Sequence, residues 1–221
     1  MDTDVAVSLS VLAGLVVLSE VTRRVLVRVL AGSELYKDAA ELVSTFQLCC
    51  CTHELKLLSE VGGVHPHLAL TFTYLASVVH GLTFRGAIGN PCGALQRAYH
   101  ATLPGGRALR RIVCQFAAAT AARAAATQVW GIGLSELHAR HKRQGFRCVS
   151  PVRGSLCEAA AVELACAFAV QTVIAHTQSV EEKYRVHAVA AVNTAVTYAG
   201  WMSSVLLFDK LSLQPPQSKK T

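Results

Sequence analysis

The chain has 221 residues, of which 52% are hydrophobic and 16% are charged, and its net charge is +7. Soluble domains carry about 25% charged residues, so the mean hydropathy of +0.38 and the low charge argue against an ordinary soluble domain. The basic residues lie between apolar blocks, which is typical of the flanks of membrane helices and argues against a nucleic-acid-binding protein. The eight cysteines show neither the paired spacing of a zinc site nor the density of a secreted disulfide scaffold.

Two apolar segments open the chain. Residues 5–18 are apolar and are followed by basic residues, which is the reverse of the order in a signal peptide. We therefore predict a signal anchor or an additional membrane helix that ends at Gly32 and Ser33. Residues 39–58 form a second segment, in which charged residues such as Glu41 are costly in lipid. This segment is either a soluble amphipathic helix or a membrane helix that faces the interior of a bundle.

A third apolar span, residues 68–84, leads into the sequence Gly-Ala-Ile-Gly-Asn-Pro-Cys-Gly at residues 86–93. Asn90 is a favoured N-cap, and Pro91 suits the first position of a helix because its missing N–H has no partner there. These residues predict a short helix that ends near residue 100, too short to cross a bilayer. Between two spans, it indicates a re-entrant segment; the alternative is an ordinary helix cap.

The remaining chain contains more apolar segments. They are predicted as membrane helices over residues 112–134, 156–175 and 186 to about 207. The first is rich in alanine, which allows close approach of helices, and a basic polar loop, residues 135–154, follows it. Residues 208–221 are polar and are expected to be disordered. The expected organisation is therefore a transmembrane domain over 1–207 and a polar tail.

The two halves of the chain show a weak internal symmetry. Glu41 lies in one apolar helix and Glu163 in another, and each is followed by a helix that contains a histidine, His80 or His187. Inverted repeats of this kind are common in membrane transport proteins. No second Asn-Pro segment follows the second of these histidine-containing helices.

Two motifs resemble the aquaporin family, in particular its divergent superaquaporin branch. They are Thr-Phe-Gln-Leu-Cys-Cys-Cys-Thr-His-Glu-Leu at residues 45–55 and Gly-Asn-Pro-Cys-Gly at residues 89–93. That branch carries Asn-Pro-Cys where other members carry Asn-Pro-Ala, and the resemblance covers about residues 11–200. It implies a bundle of membrane helices in which two re-entrant half-helices meet at mid-bilayer. It also implies homotetramers in which each protomer has its own pore.

The resemblance also implies roles for individual residues. It assigns the pore motif to Asn90, Pro91 and Cys92. It assigns pore lining or pore support to Glu41, Leu70, His80, Gly86, Ala87, Glu163 and Thr197. The two glutamates are expected to hold backbone N–H groups of the loops, although both could simply be charged residues near helix ends. Leu70 and Thr197 are expected near the narrow filter.

The family pattern continues with a second Asn-Pro-Ala half-helix and a last full helix, and residues 201–221 resemble neither. The expected fold class is therefore an all-α membrane protein, an aquaporin-like bundle with one re-entrant half-helix that lacks the second half-helix and the last helix, as in a truncated or spliced form. The expected function is a channel for water and small neutral solutes such as glycerol or hydrogen peroxide, impaired by this loss. The alternative is a non-conducting membrane subunit that associates with a full-length aquaporin.

No catalytic constellation stands out in the sequence, so we expect no enzyme, no cofactor and no metal. A redox or metal-binding protein built on Cys49 to Cys51, Cys92 and His53 is a third alternative. The expected partners are membrane lipid, the transported solutes, and either further copies in a homotetramer or a full-length aquaporin, with no nucleic acid. The expected location is the endoplasmic reticulum membrane, as a multi-pass integral protein, with the plasma membrane as the alternative.

Overall fold

Every regular element in the described part of the chain is an α-helix. The computed structural model describes residues 2–60, 62, 64–84, 86–146, 156–177 and 179–212. Its helices are, in chain order, α1 (Asp2–Val29), α2 (Glu34–Glu60), α3 (Pro66–Thr83), α4 (Pro91–Tyr99), α5 (Gly105–Ile132), α6 (Glu136–Arg143), α7 (Leu156–His176) and α8 (Glu182–Ser212). The predicted all-α class is confirmed. The chain divides into two units, Met1–Arg147 and Cys148–Thr221, which are described in turn.

The predicted spans correspond to α1, α2, α3, α5, α7 and α8, and the predicted short helix is α4. α2 and α5 begin earlier than predicted, at Glu34 and Gly105, because apolar periodicity does not register the polar residues that extend a helix. α8 continues to Ser212, so residues 208–212 of the expected tail are helical. Residues 213–221 lie outside the described residues.

The structure adds one helix, α6, within the segment that the sequence predicts to be a polar loop. It begins after Ser135, whose Oγ accepts a hydrogen bond from the N–H of His138 at 3.2 Å. Apolar periodicity does not predict α6 because the helix contains few apolar residues. The local signal that could have found it is the N-cap Ser135 followed by Glu136 in the first turn.

α2 and α5 form the centre of the first unit. α2 packs against α1, α3 and α5, and α5 also packs against α4 and α6. Alanines at positions 118, 122 and 126 are buried on α5, and their small side chains permit close approach of the two helices. Cys50 of α2 lies at this contact, with its Sγ 3.7 Å from the carbonyl oxygen of Ala122. The thiol therefore packs as a small buried side chain whose S–H donates a weak hydrogen bond to that carbonyl.

The buried carboxylate of Glu54 joins four helices of this unit. It accepts hydrogen bonds from the hydroxyl of Ser8 on α1 at 2.6 Å and from the indole N–H of Trp130 on α5 at 2.8 Å. It also lies 3.0 Å from Nε2 of His138 on α6. Because a buried polar group is costly unless it is hydrogen-bonded, Glu54 favours one arrangement of α1, α5 and α6 around the end of α2.

α6 covers Trp130 with the ring of His141, whose centroid lies 5.0 Å from that of Trp130 in an edge-on arrangement. Both His138 and His141 have a buried Nδ1 with no hydrogen-bond partner among the described residues. A proton added to Nδ1 of His141 would have no acceptor there. The docked position of α6 therefore favours a neutral His141.

We expect α6 to separate from this core as the pH falls. Burial, and secondarily the neighbouring His138, lower the pKa of His141 below its ordinary value of 6.5. His141 binds a proton more readily when α6 is released than when it is docked. The contribution of His141 to docking is therefore complete above about pH 6.5 and is lost as the pH falls through the lowered pKa. The protection factors of the amides of residues 136–143, which correct the exchange rates for the intrinsic effect of pH on amide exchange, should therefore fall between about pH 7.5 and about pH 5.

His141→Gln tests this expectation because glutamine does not titrate. The acid-induced loss of protection should be absent or reduced in His141→Gln and retained in His67→Gln, since His67 is an exposed histidine on α3. An equal acid response in both variants would contradict the assignment to His141.

The second unit consists of α7 and α8, which pack against each other. Thr197 lies on α8, where its hydroxyl donates to the carbonyl oxygen of Asn193 at 2.8 Å. Glu163 lies within α7, and its side chain is outside the described part of the chain.

Length and apolar composition single out one helix of the described residues as long and apolar enough to cross a membrane. It is the segment Thr3–Val29 in α1, and Leu164–His176 in α7 is a shorter apolar helix. α2 and α5 carry charged residues within their length, which lowers their mean hydropathy. Several of these polar groups are buried against neighbouring helices, as for Glu41 and Glu54.

Candidate pore motif and its supports

The short helix α4 begins at Pro91, with Asn90 as its N-cap, as predicted. Asn90 has extended backbone, with φ −145°, and its Oδ1 accepts a hydrogen bond from the N–H of Cys92 at 2.9 Å. Pro91 occupies the first position of the helix, where its missing N–H leaves no group unsatisfied. The first turn of α4 is thus fixed by local chemistry. Its re-entrant placement in a bilayer stays a prediction.

The loop before α4 turns tightly at two glycines in the left-handed region. Gly86 has φ +87° and Gly89 has φ +64°, values that cost other residues about 1–2 kcal/mol. A Cβ on Gly89 would lie 3.2 Å from the ring of Phe84. A Cβ on Gly93, in the first turn of α4, would lie 2.8 Å from Cγ2 of Ile88. The loop therefore folds closely onto the start of the helix.

Glu41 of α2 binds the backbone of this loop. Its side chain is fully buried and accepts hydrogen bonds from the N–H of Ile88 at 2.9 Å and of Gly89 at 2.5 Å. Hydrogen bonds to an ionised carboxylate are roughly twice as strong as those between neutral groups. Glu41 therefore sets the position from which α4 starts.

α5 supplies two further contacts to Glu41 that the sequence does not predict. The side-chain amide of Gln115 donates to Oε1 at 2.7 Å, and the guanidinium of Arg111 lies 3.7 Å from Oε2. The available signal was a polar side chain inside an alanine-rich helix, since a buried amide is costly unless it is hydrogen-bonded. Gln115 and Arg111 thus fix the position of the Glu41 carboxylate, which in turn binds the loop.

The other predicted residues fall into three groups. Ala87 and His80 lie around the same loop: the N–H of Ala87 donates to the carbonyl oxygen of Phe84 at 3.0 Å, and the buried His80 ring stacks on that of Phe84 with centroids 5.4 Å apart. Cys92 is exposed on α4 and Leu70 is half-buried on α3. Thr197 and Glu163 belong to the second unit, described above, so their predicted roles stay predictions.

The alternative hypothesis of a metal-binding protein depends on a cluster of ligating side chains. Among the described residues, no group of three or more His, Cys, Asp or Glu side chains is placed to hold a metal ion. The thiol of Cys92 is exposed, whereas those of Cys50 and Cys51 are buried.

We expect Gly89→Ala to destabilise the loop before α4. The substitution places a Cβ in the left-handed region and against Phe84, at a cost of about 1–2 kcal/mol. Amide hydrogen exchange at Ile88 should accelerate accordingly. Gly131→Ala is the matched control, because a Cβ there meets nothing within 4 Å and alanine favours a helix interior by about 0.5–1 kcal/mol. A similar effect of the two substitutions would contradict the expectation.

Comparison with protein-family models and with solved structures found no match. Among curated proteins, aquaporin-11 of Homo sapiens is 37% identical over 180 residues, which are 79% of this chain and 66% of that protein. Aquaporin-11 of Mus musculus is 33% identical over 189 residues, 83% of this chain and 69% of that protein.

Aquaporin-12 of Mus musculus is 35% identical over 185 residues, 81% of this chain and 63% of that protein. The chain thus spans about two thirds of the length of these relatives. Identity of this order over most of the chain accompanies the motif at Asn90 and the helical fold. The chain therefore belongs to the aquaporin family, whose members are membrane channels and not enzymes, and within it is similar to aquaporin-11 and aquaporin-12.

Proposed function

We propose that the chain is an aquaporin-type membrane channel subunit that passes water and small neutral solutes, such as glycerol or hydrogen peroxide, past the N-terminal end of α4. The observation that carries this proposal is the binding of the loop before Asn90 by the side chain of Glu41. Two backbone N–H groups and one side-chain amide donate to its buried carboxylate. The start of α4 is therefore held in a fixed position, as a selective constriction requires.

The chemistry at the start of α4 suits neutral polar solutes. A helix N-terminus carries roughly half a positive charge, which repels protons and cations. Oδ1 of Asn90 is occupied by the N–H of Cys92, and its Nδ2 donates no hydrogen bond among the described residues. That amide group can therefore donate to a passing solute, as donors that line a pore do.

Exposed apolar side chains support placement in a membrane. Large ones lie on α1 at Val17, Leu18 and Val21, and on α5 at Val113 and Phe116. Extensive exposed apolar surface marks membrane or subunit contact. We propose a multi-pass protein of the endoplasmic reticulum membrane, with the plasma membrane as the alternative, that assembles as a homotetramer or with a full-length aquaporin. Its transmembrane domain is residues 1–207, followed by a polar tail.

Water flux into proteoliposomes tests the channel. We expect the purified chain to raise osmotic water permeability above that of empty liposomes, but below that of a complete aquaporin-11, because the chain has one Asn-Pro motif. Asn90→Asp should abolish this flux, since aspartate retains the capping oxygen but replaces the amide donor with a negative charge. Flux unaffected by Asn90→Asp would contradict a path at α4.

The single Asn-Pro motif also favours a second candidate, a non-conducting subunit. In that case the chain alone matches empty liposomes, and co-reconstitution with a complete aquaporin-11 changes the flux per complete subunit. Purification of the two chains as one complex supports this candidate. If the chain has no flux alone and no effect on the complete channel, both functions are wrong.

A further inference from the structure

We propose that Arg23 of α1 is a positioning residue for the loop that carries the pore motif, acting through Gln47 of α2 and Thr83 of α3. The inference deepens the proposed function and rests on it for the role of α4 in transport. The contacts themselves, and the experiment that tests them, concern the position of the loop and not the flux.

The burial of Arg23 requires an explanation beyond its ion pair. Arg23 lies in the apolar helix α1 with its side chain 0% exposed, whereas the side chain of the adjacent Arg24 is 66% exposed. Both arginines contact Glu20, with Nε–carboxylate distances of 3.4 Å for Arg23 and 2.9 Å for Arg24. Since Arg24 makes that pair from the surface, the pair does not account for burying Arg23. Charged residues inside apolar membrane helices usually face the protein interior and serve a function there.

The guanidinium of Arg23 reaches α2. Nη2 donates to Oε1 of Gln47 at 2.7 Å, and Nη1 donates to the hydroxyl of Ser44 at 3.4 Å. The side chain of Gln47 is fully buried. A guanidinium can only donate, so it fixes which end of the Gln47 amide faces α1. The amide oxygen must point to Arg23, and the NH₂ group must point away from it.

The NH₂ group of Gln47 in turn contacts the end of α3. Nε2 donates to Oγ1 of Thr83 at 3.2 Å, and that hydroxyl donates to the carbonyl oxygen of Val79 at 2.8 Å. Because the hydroxyl hydrogen is used on Val79, Thr83 presents an acceptor to Gln47. All three donors therefore point in one direction, from α1 through α2 to α3. Hydrogen bonds in such a chain polarise and strengthen one another.

This relay ends at the residue where the loop begins. Thr83 is the last residue of α3, and Glu41 binds Ile88 and Gly89 at the other end of the loop. Gln47 and Glu41 lie six positions apart, roughly 9 Å along α2. α2 thus holds the loop at its start and at its end. Without Arg23, the amide of Gln47 loses the partner that fixes its orientation. Because the hydroxyl of Thr83 can meet either end of that amide, the first of these two attachments is no longer held in one geometry.

A purely structural role for Arg23 makes a different prediction. If Arg23 only attached α1 to α2, its loss would loosen the whole of α1, including the contact of Ser8 with Glu54 near the other end of that helix. If it positions the loop, the effect is concentrated at Ile88 and Gly89. Amide-resolved hydrogen exchange of the full chain in lipid nanodiscs distinguishes the two.

We expect Arg23→Gln to accelerate exchange at Ile88 and Gly89 by about tenfold, as for the loss of a buried hydrogen-bonded attachment, and to leave exchange in α5 around Trp130 unchanged. Arg23→Lys should restore part of the protection, because lysine donates to Gln47 but lacks the fork that also reaches Ser44. Arg24→Gln, the matched control at the exposed neighbour, should change neither region.

Thr83→Val provides a second test that leaves the contact of Arg23 with Gln47 intact. It removes the acceptor of Gln47 with little change in shape, and should accelerate exchange at Ile88 and Gly89 as Arg23→Gln does. The double variant should show no further acceleration, because both substitutions break the same relay. Unchanged exchange at these amides in both variants, or an equal increase throughout the chain, would overturn the proposal. Absence of water flux would instead count against the proposed function and leave this result standing.

Discussion

Glu41→Gln should release the loop before α4 and accelerate amide exchange at Ile88 and Gly89 by about 100-fold. The carboxylate is fully buried and accepts from both of these N–H groups and from Gln115. Hydrogen bonds to a charged group contribute about 1.5–3 kcal/mol each, and a neutral glutamine presents an NH₂ group to donors that need an acceptor. A loss of about 3 kcal/mol in the free energy of local opening corresponds to this factor.

Glu34→Gln is the matched control for Glu41→Gln. Glu34 lies in the first turn of the same helix and is exposed, and its carboxylate contacts Lys37 and Arg107 at the surface. Solvent screens such pairs, so their net contribution is small. We expect no change in exchange at Ile88 or Gly89 in this variant. If the two substitutions gave similar exchange rates, the attachment of the loop to Glu41 would be wrong.

Glu54→Leu should destabilise the first unit by about 3–5 kcal/mol, because each buried donor left without an acceptor costs about 1–3 kcal/mol. The substitution leaves three buried groups without their acceptor: the hydroxyl of Ser8, the indole of Trp130 and the ring of His138. Denaturant unfolding in detergent, followed by the fluorescence of Trp130 in a Trp201→Phe background, measures the loss. Glu54→Gln should cost less because an amide oxygen still accepts.

Glu136→Gln provides the comparison for Glu54. Its carboxylate is exposed and pairs with Arg143 within α6, so we expect little change in the free energy of unfolding. A change below about 1 kcal/mol for Glu54→Leu would show that the buried carboxylate does not hold these helices together. Loss of Ser8 alone should be milder, since the other two donors keep their acceptor.

Local chemistry explains why the short helix at Asn90 could be predicted. An asparagine cap, a proline at the first helical position and flanking glycines act on residues a few positions apart. The same holds for the all-helical class, which follows from apolar segments rich in helix-forming residues. The supports of that helix could not be predicted in this way, because Glu41 and Ile88 are 47 positions apart and Glu54 and His138 are 84 apart.

By itself the sequence determined the membrane-type composition, the helices other than α6, the capped start of α4 and the family motifs. The tertiary structure alone decided which buried polar side chains meet: Gln115 with Glu41, Glu54 with Trp130, and Arg23 with Gln47. The physical reason is that helix formation depends on neighbours within a turn, whereas a hydrogen bond between helices depends on their rotation and depth. Those are fixed only when all the apolar faces pack together.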